Sequence, residues 1–148
     1  MPIHIRYRRL PHWRLDGATY FVTWRLHRLQ RPLTPAERTL VVSVLRHFDN
    51  TRFVLHALVV MDDHVHAIVT PLAGWALGHV LHSWKSYSAN QLQRATRRRG
   101  PLWQIDSYDR IIRSSRDLAE KIAYIRRNPC HRWPGLLEYP WLWWKKRG

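Results

Sequence analysis

The sequence predicts an α+β fold: a ferredoxin-like split β-α-β sandwich with an antiparallel sheet, closed by a C-terminal helix. Three observations predict it. A β-hairpin falls in the middle, between Phe53 and Thr70, a helical apolar pattern flanks it on each side, and an aromatic or β-branched strand lies beyond each helix. The resulting order is β-α-β-β-α-β-α, with helices packed on one face of the sheet.

Each element follows from local chemistry. Asp16-Gly17 marks a turn, and residues 18–26 follow as a strand dense in Tyr, Phe, Val, Thr and Trp. Thr34 is the N-cap of a helix, with Pro35 at its first position and Glu37 in its first turn; Leu40, Val41, Val44, Leu45 and Phe48 recur at helical spacing, to about His47. Phe53–Val60 reads as a buried strand, Asp62-Asp63 as a turn and His64–Thr70 as its partner. Residues 76–96 form a second helix, ended by Arg97-Arg98-Arg99-Gly100-Pro101. Residues 102–112 form the fourth strand, irregular near Asp106-Ser107. Ser114 or Ser115 caps a last helix, from Arg116 to about Asn128, stopped by Pro129.

At 148 residues the chain fits one domain, 1–148, with a basic arm (1–15) and an aromatic, basic tail (129–148). Lys plus Arg number 25 against 10 Asp plus Glu, giving a net charge of +15 that favours a polyanionic partner. The 9 Trp, 6 Tyr and 3 Phe add flat surfaces on which unpaired bases can stack, although most of the tryptophans are expected in the core. The single cysteine, Cys130, excludes a disulfide framework and a cysteine-based zinc cluster. No apolar window approaches a membrane span, and the N-terminus has no apolar leader, so a cytoplasmic protein with no membrane partner is expected.

The chemistry centres on His64-Val65-His66. Strand side chains alternate, so the two imidazoles point to one side and can share a metal, although such a pair in a chain with 10 histidines is more often incidental. A second feature lies on the last helix, where Tyr124 and Asn128 stand at i and i+4 and so stack on one face. By spacing alone, a half-buried packing tyrosine and a helix-ending asparagine are the commoner outcomes.

Taken together, the motifs resemble the REP-associated tyrosine transposases, single-domain bacterial relatives of the HUH transposases of small insertion sequences. The resemblance is carried by Arg9-Leu10-Pro11-His12-Trp13 with Ala18–Thr23, by His64-Val65-His66, by Leu102-Trp103-Gln104 with Tyr108–Arg113, and by Tyr124-Ile125 with Asn128-Pro129. The ending, Arg132-Trp133-Pro134 with Tyr139-Pro140-Trp141, resembles one branch of that family. One departure is Asp62, where members commonly carry proline; it either changes the turn only or alters the charge at the metal site, and the first reading is preferred.

The resemblance implies an HUH endonuclease fold, with His64, His66 and Asn128 holding Mg²⁺ or Mn²⁺ and Tyr124 as nucleophile. Tyr108 is the rival nucleophile and Tyr87 a third. It further implies nicking and joining of single-stranded DNA at repetitive extragenic palindrome (REP) hairpins through a 5′-phosphotyrosine, by a nucleoid-associated bacterial protein, with a monomer favoured over a dimer. A metal polarises the phosphate, and because ligation needs neutral histidine, activity is expected to fall as pH drops through roughly 6.5. The arm (Arg6, Arg8, Arg9, His12, Trp13, Arg14) and a second surface (Lys85, Arg94, Arg97, Arg98, Arg99) are expected to hold the hairpin and its flank. Two other readings remain: a non-catalytic nucleic-acid-binding protein on the same fold, and a water-using metal hydrolase that leaves no protein–DNA adduct.

Overall fold

Every predicted strand and helix forms. The computed structural model describes residues 4–6 and 17–146, the first three by their backbone alone. The arm residues Arg8, Arg9, His12, Trp13 and Arg14, and the side chain of Arg6, lie outside the described residues. The elements are β1 (His4–Arg6), β2 (Thr19–Leu26), α1 (Pro35–Arg46), β3 (Phe53–Val60), β4 (His64–Pro71), α2 (Leu77–Ala95), β5 (Trp103–Ile112), α3 (Ser115–Arg132) and β6 (Leu142–Trp144). The sheet is antiparallel throughout, in the order β1-β5-β2-β4-β3-β6. Its inner four strands, β5-β2-β4-β3, are the split β-α-β arrangement. Short strands from the arm and the tail extend it at either edge.

Alternation along β2 and β4 assigns the two faces. Val22 and Trp24 join Val65, Ala67 and Val69 in the larger core under α1 and α2, which includes Val41, Leu45, Leu77, Val80 and Leu92. Trp24 stacks on Trp84 at 5.7 Å and meets Trp103 edge-on at 6.1 Å; these three are buried, whereas Trp133, Trp141, Trp143 and Trp144 are only partly buried and Trp75 is exposed, fewer core tryptophans than expected. Phe21, Thr23 and Arg25 share the opposite face with His64, His66 and Ile68. There α3 packs through Ile125 on Ala57, Val59, Met61 and Ile68. The crossover helices thus share one face as expected, while α3 covers the other and roofs the histidine pair.

Two irregularities adjust this frame. His56 is the extra residue of a bulge in β3, so that Leu55 and Leu58 both enter the larger core while Ala57 turns to the α3 side. The irregularity expected near Asp106 is also present. Between the pairs Trp24↔Ser107 and Leu26↔Trp103, β5 carries more chain than β2. The Lys85 ammonium secures this excess by donating to the carbonyls of Gln104 (2.7 Å) and Ile105 (2.9 Å).

Helix starts follow the sequence. The Glu37 amide donates to Thr34 Oγ1 (3.2 Å) and the Thr34 amide to Glu37 Oε1 (2.9 Å), a capping box; Ser114, rather than Ser115, caps α3 through the Asp117 amide (3.0 Å). Pro129 does not stop α3, which continues to Arg132. Its buried ring removes one helix donor, but the added turn is held from outside by Arg132, which binds Asp62 at 3.0 Å and Asp63 at 3.4 Å. Residues 129–132 of the expected tail therefore belong to the helix.

Candidate active site

Two ion pairs set α3 across the sheet. Near its start, the Arg110 guanidinium on β5 donates to both Asp117 oxygens at 3.0 and 3.1 Å. Near its end, Arg132 reaches the β3–β4 connection. Between these anchors, Lys121, Tyr124 and Asn128 follow at spacings of three and four, so one helical stripe faces the histidines.

The stripe meets the pair closely. His64 Nε2 lies 3.2 Å from Asn128 Oδ1, and the two imidazole rings are 4.8 Å apart. The Tyr124 ring sits 5.4 Å from His66 and 5.9 Å from Phe21, which itself stacks on His66 at 5.4 Å. Each imidazole is oriented by a second partner: Asp63 Oδ1 accepts from His64 Nδ1 (2.7 Å), and Thr23 Oγ1 bonds His66 Nδ1 (2.6 Å).

These contacts fit a divalent cation. In the tautomer whose Nδ1–H donates to the Asp63 carboxylate, His64 would turn the Nε2 lone pair toward the carbonyl oxygen of Asn128. Two facing acceptors are a donor set for a cation. His66, with Nδ1 on Thr23, keeps Nε2 for the same purpose. Among the described residues no three His, Cys, Asp or Glu side chains converge, and the oxygen beside the histidine pair is that of the Asn128 amide.

Electrostatics keep His66 in its ligating form. Burial, then the neighbouring His64 and Arg25, push the His66 pKa from 6.5 down to about 3. His66 therefore stays neutral far below the 6.5 of a free histidine. Burial works against ionisation of Asp63, but the His64 hydrogen bond and charge, with Arg132, hold its carboxyl below the usual range. Asp62 is paired with Arg132 and acts on the helix end rather than on the histidine pair.

A groove of about 410 Å³ opens beside Tyr124, floored by Phe21, Thr23 and His66 and flanked by Arg25, Tyr108 and Lys121. Tyr108, the rival nucleophile, shares it. Thr23 pairs with Tyr108 on one side and His66 on the other, so Tyr108 stands two strand spacings, roughly 10 Å, from His66. The Tyr124 ring is in contact with the His66 ring, at 5.4 Å between centroids. Tyr87 lines a different groove between α1 and α2, on the other face of the sheet.

The expected cation surface divides. Arg94, Arg97 and Arg99 are exposed. Arg98 is buried, its guanidinium bound to both Glu37 oxygens (2.6 and 2.8 Å), Gln30 Oε1 (3.1 Å) and the carbonyls of Arg31 (2.8 Å) and Pro32 (2.9 Å). All five of its donors are used, so Arg98 does not grip a phosphate; its acidic partner, 61 residues away in sequence, gave no local signal. Lys85 is likewise engaged on β5.

The sequence reading missed Asp63, Thr23, Arg25, Lys121 and Arg110. A signal existed for two of them: Lys121 precedes Tyr124 by one turn, and Asp63 directly precedes the histidine pair. The others lie opposite the site only through strand register.

The fold and these side chains define the class, an α+β protein with an antiparallel sheet whose histidine pair sits beneath a helix bearing tyrosine and asparagine. Residues 19–128 match the sequence model of the family described as "Transposase IS200 like". The chain belongs to the IS200-like transposase family. It is similar in structure to a REP-associated tyrosine transposase bound to a REP hairpin (TM-score 0.71, 18% identity, 92% of this chain and 82% of that one). It is also similar to a putative transposase from Deinococcus radiodurans R1 (TM-score 0.56, 20% identity, 82% and 96%). At these identities the likeness bears on the fold. No curated protein sequence matches the chain.

Proposed function

We propose that the protein is a metal-dependent endonuclease and strand transferase for single-stranded DNA. It acts at REP hairpins through a 5′-phosphotyrosine on Tyr124. The observation that supports the proposal is His64 Nε2 against Asn128 Oδ1, with the His66 ring beside His64 and the Tyr124 ring against His66. A binding module has no chemical need for that set. The REP hairpin is the ligand of the solved relative and enters here as part of the proposal.

A divalent ion, Mg²⁺ or Mn²⁺, held by His64, His66 and Asn128, would withdraw charge from the oxygens of the scissile phosphate. The side chains of the chain do the rest. Tyr124 Oη attacks phosphorus, the bond from phosphorus to the 3′ oxygen breaks, and the phenolic proton leaves to solvent while the 3′ oxygen is protonated. Attack by another 3′-hydroxyl on the phosphotyrosine reverses the bookkeeping and joins strands without ATP. Thr23 and Asp63 hold the imidazoles in place, and Lys121 and Arg25 supply positive charge along the groove. Both edges of the four inner strands are covered by strands of the same chain, which supports a monomer.

The test is a denaturing gel of the protein with REP-hairpin oligonucleotides and Mg²⁺ or Mn²⁺, beside Tyr124→Phe. A metal-dependent covalent band that vanishes in Tyr124→Phe is expected. A band that persists transfers the role to Tyr108; cleavage without adduct means a water-using hydrolase, and binding without cleavage a non-catalytic binding protein.

A further inference from the structure

Tyr108 is a ring that the fold itself leaves unused. It stands on β5 in a row that runs across the strands through Thr23 to His66, so its side chain shares the α3 face of the sheet with the histidine pair. The helix leaves that corner open. It crosses from the end of β5, where Arg110 and Ile112 meet its first turns, to β3 and β4, where Ile125 packs on Ala57, Val59, Met61 and Ile68. Among the described residues Tyr108 belongs to neither core cluster, and it is 38% exposed. A tyrosine in the middle of a six-stranded sheet is ordinarily covered by the layer above it. This one lines the groove instead.

The groove has the size and the lining for one nucleotide. Its volume of about 410 Å³ lies in the range of clefts that take a small ligand, roughly 300–1,000 Å³, and is too small for a duplex. Its ends differ in chemistry. Tyr124 and His66 form the end where phosphorus would be attacked, and Tyr108 forms the other, two strand spacings or roughly 10 Å from His66. Arg25 and Lys121 add positive charge to the lining, which contains no acidic side chain. Phe21 is already stacked on His66 at 5.4 Å, and Tyr124 stands edge-on to both rings. Among the described aromatic rings of the groove, Tyr108 is therefore the flat face left for a base.

We propose that Tyr108 is the platform on which the unpaired base next to the scissile phosphate stacks. The ring does this work and the hydroxyl does not. Stacking holds the nucleotide in one orientation, so that its phosphate meets Tyr124 in line, and it tolerates any base because every base has a π-face. The inference rests on the single-stranded DNA reading above, and it gives the second tyrosine of the groove a task other than attack.

The test measures binding alone, in EDTA and on a Tyr124→Phe background, so it is independent of the covalent adduct. A fluorescent REP-hairpin oligonucleotide with its flanking single strand is titrated intact and with an abasic site moved one position at a time along the flank. At one position the missing base should weaken binding about tenfold through loss of its stack on Tyr108. Tyr108→Ala should weaken the intact oligonucleotide by the same factor, yet cost less than about twofold more on the oligonucleotide already abasic at that position. Tyr108→Phe keeps the ring and should restore the affinity. Tyr108→Leu keeps apolar bulk without a flat face and should behave as alanine does, which preserves the comparison if the alanine variant fails in thermal unfolding. Unchanged affinity in Tyr108→Ala and Tyr108→Leu overturns the platform, as does an equal loss on every oligonucleotide, since the ring would then support the protein rather than a base. A loss in Tyr108→Phe as large as in Tyr108→Ala assigns the effect to the hydroxyl and overturns it too. The endonuclease reading fails separately, by absence of an adduct in the parent protein, and that result leaves the abasic comparison standing.

Discussion

Replacing Arg98 by alanine would leave the Glu37 carboxylate, 3% exposed, without its counter-charge. In the intact protein the Arg98 hydrogen bond is the largest influence on Glu37. It outweighs burial, and with Thr34 it brings the pKa from 4.5 down to about 2. At about 1.4 kcal/mol per unit, that shift corresponds to about 3 kcal/mol of stability. The folded pKa lies below the unfolded one. The contribution is therefore complete above pH 4.5 and drains as pH falls toward about 2. Removing one partner of a buried pair costs roughly 3–5 kcal/mol, a large part of the 5–15 kcal/mol typical of a domain. Urea unfolding followed by tryptophan fluorescence, at pH 7 and pH 3, reads both quantities. Arg98→Ala should lose at least about 3 kcal/mol at pH 7, and the gap to the parent should narrow at pH 3. A loss below about 1 kcal/mol at pH 7 would refute the reasoning, returning Arg98 to the solvent and to the set of cations free to bind phosphate.

Two further outcomes follow from the site. Burial and the charges of His64 and Arg25 bring the His66 pKa to about 3 in the folded state, so its ring signals in NMR spectra should not titrate between pH 8 and 5. Because an unfolded histidine takes up its proton near 6.5, this depressed value also makes stability fall as pH drops from there toward 3. A midpoint near 6.5 for His66 in the folded protein would contradict its burial. Asp63→Asn removes the carboxylate that orients His64, and calorimetric titration with Mn²⁺ should show affinity lower by about 10- to 100-fold. Unaltered affinity would mean that Asp63 serves only its bond to Arg132.

The strands, helices and the His-x-His, Tyr-Asn pattern were legible because each depends on neighbours in sequence. Alternation put His64 and His66 on one side, helical spacing stacked Tyr124 on Asn128, and Thr34 with Glu37 announced a capped helix. Where a distant group intervened, local rules failed. Pro129 ends helices by its missing donor, yet Asp62 and Asp63 hold the following turn through Arg132. The run of three arginines reads as uniformly solvated, yet Glu37 takes the middle one inside. Lys85 reads as an outward cation, yet the extra chain in β5 offers it two carbonyls.

By itself the sequence determined which residues could do chemistry, since periodicities of two and 3.6 fix which side chains share a face. Only the tertiary structure decided what those faces meet. Strand register set Thr23 beside His66 and Tyr108 one strand further away, and α3 crossed to the face opposite α1 and α2 because Ile125 and the Arg110–Asp117 pair found their partners there. The contact of the Tyr124 ring with His66 was therefore a matter of packing. Contacts between residues far apart in sequence carry no local periodicity, and they are what separates a cation that faces solvent from one that holds the fold together.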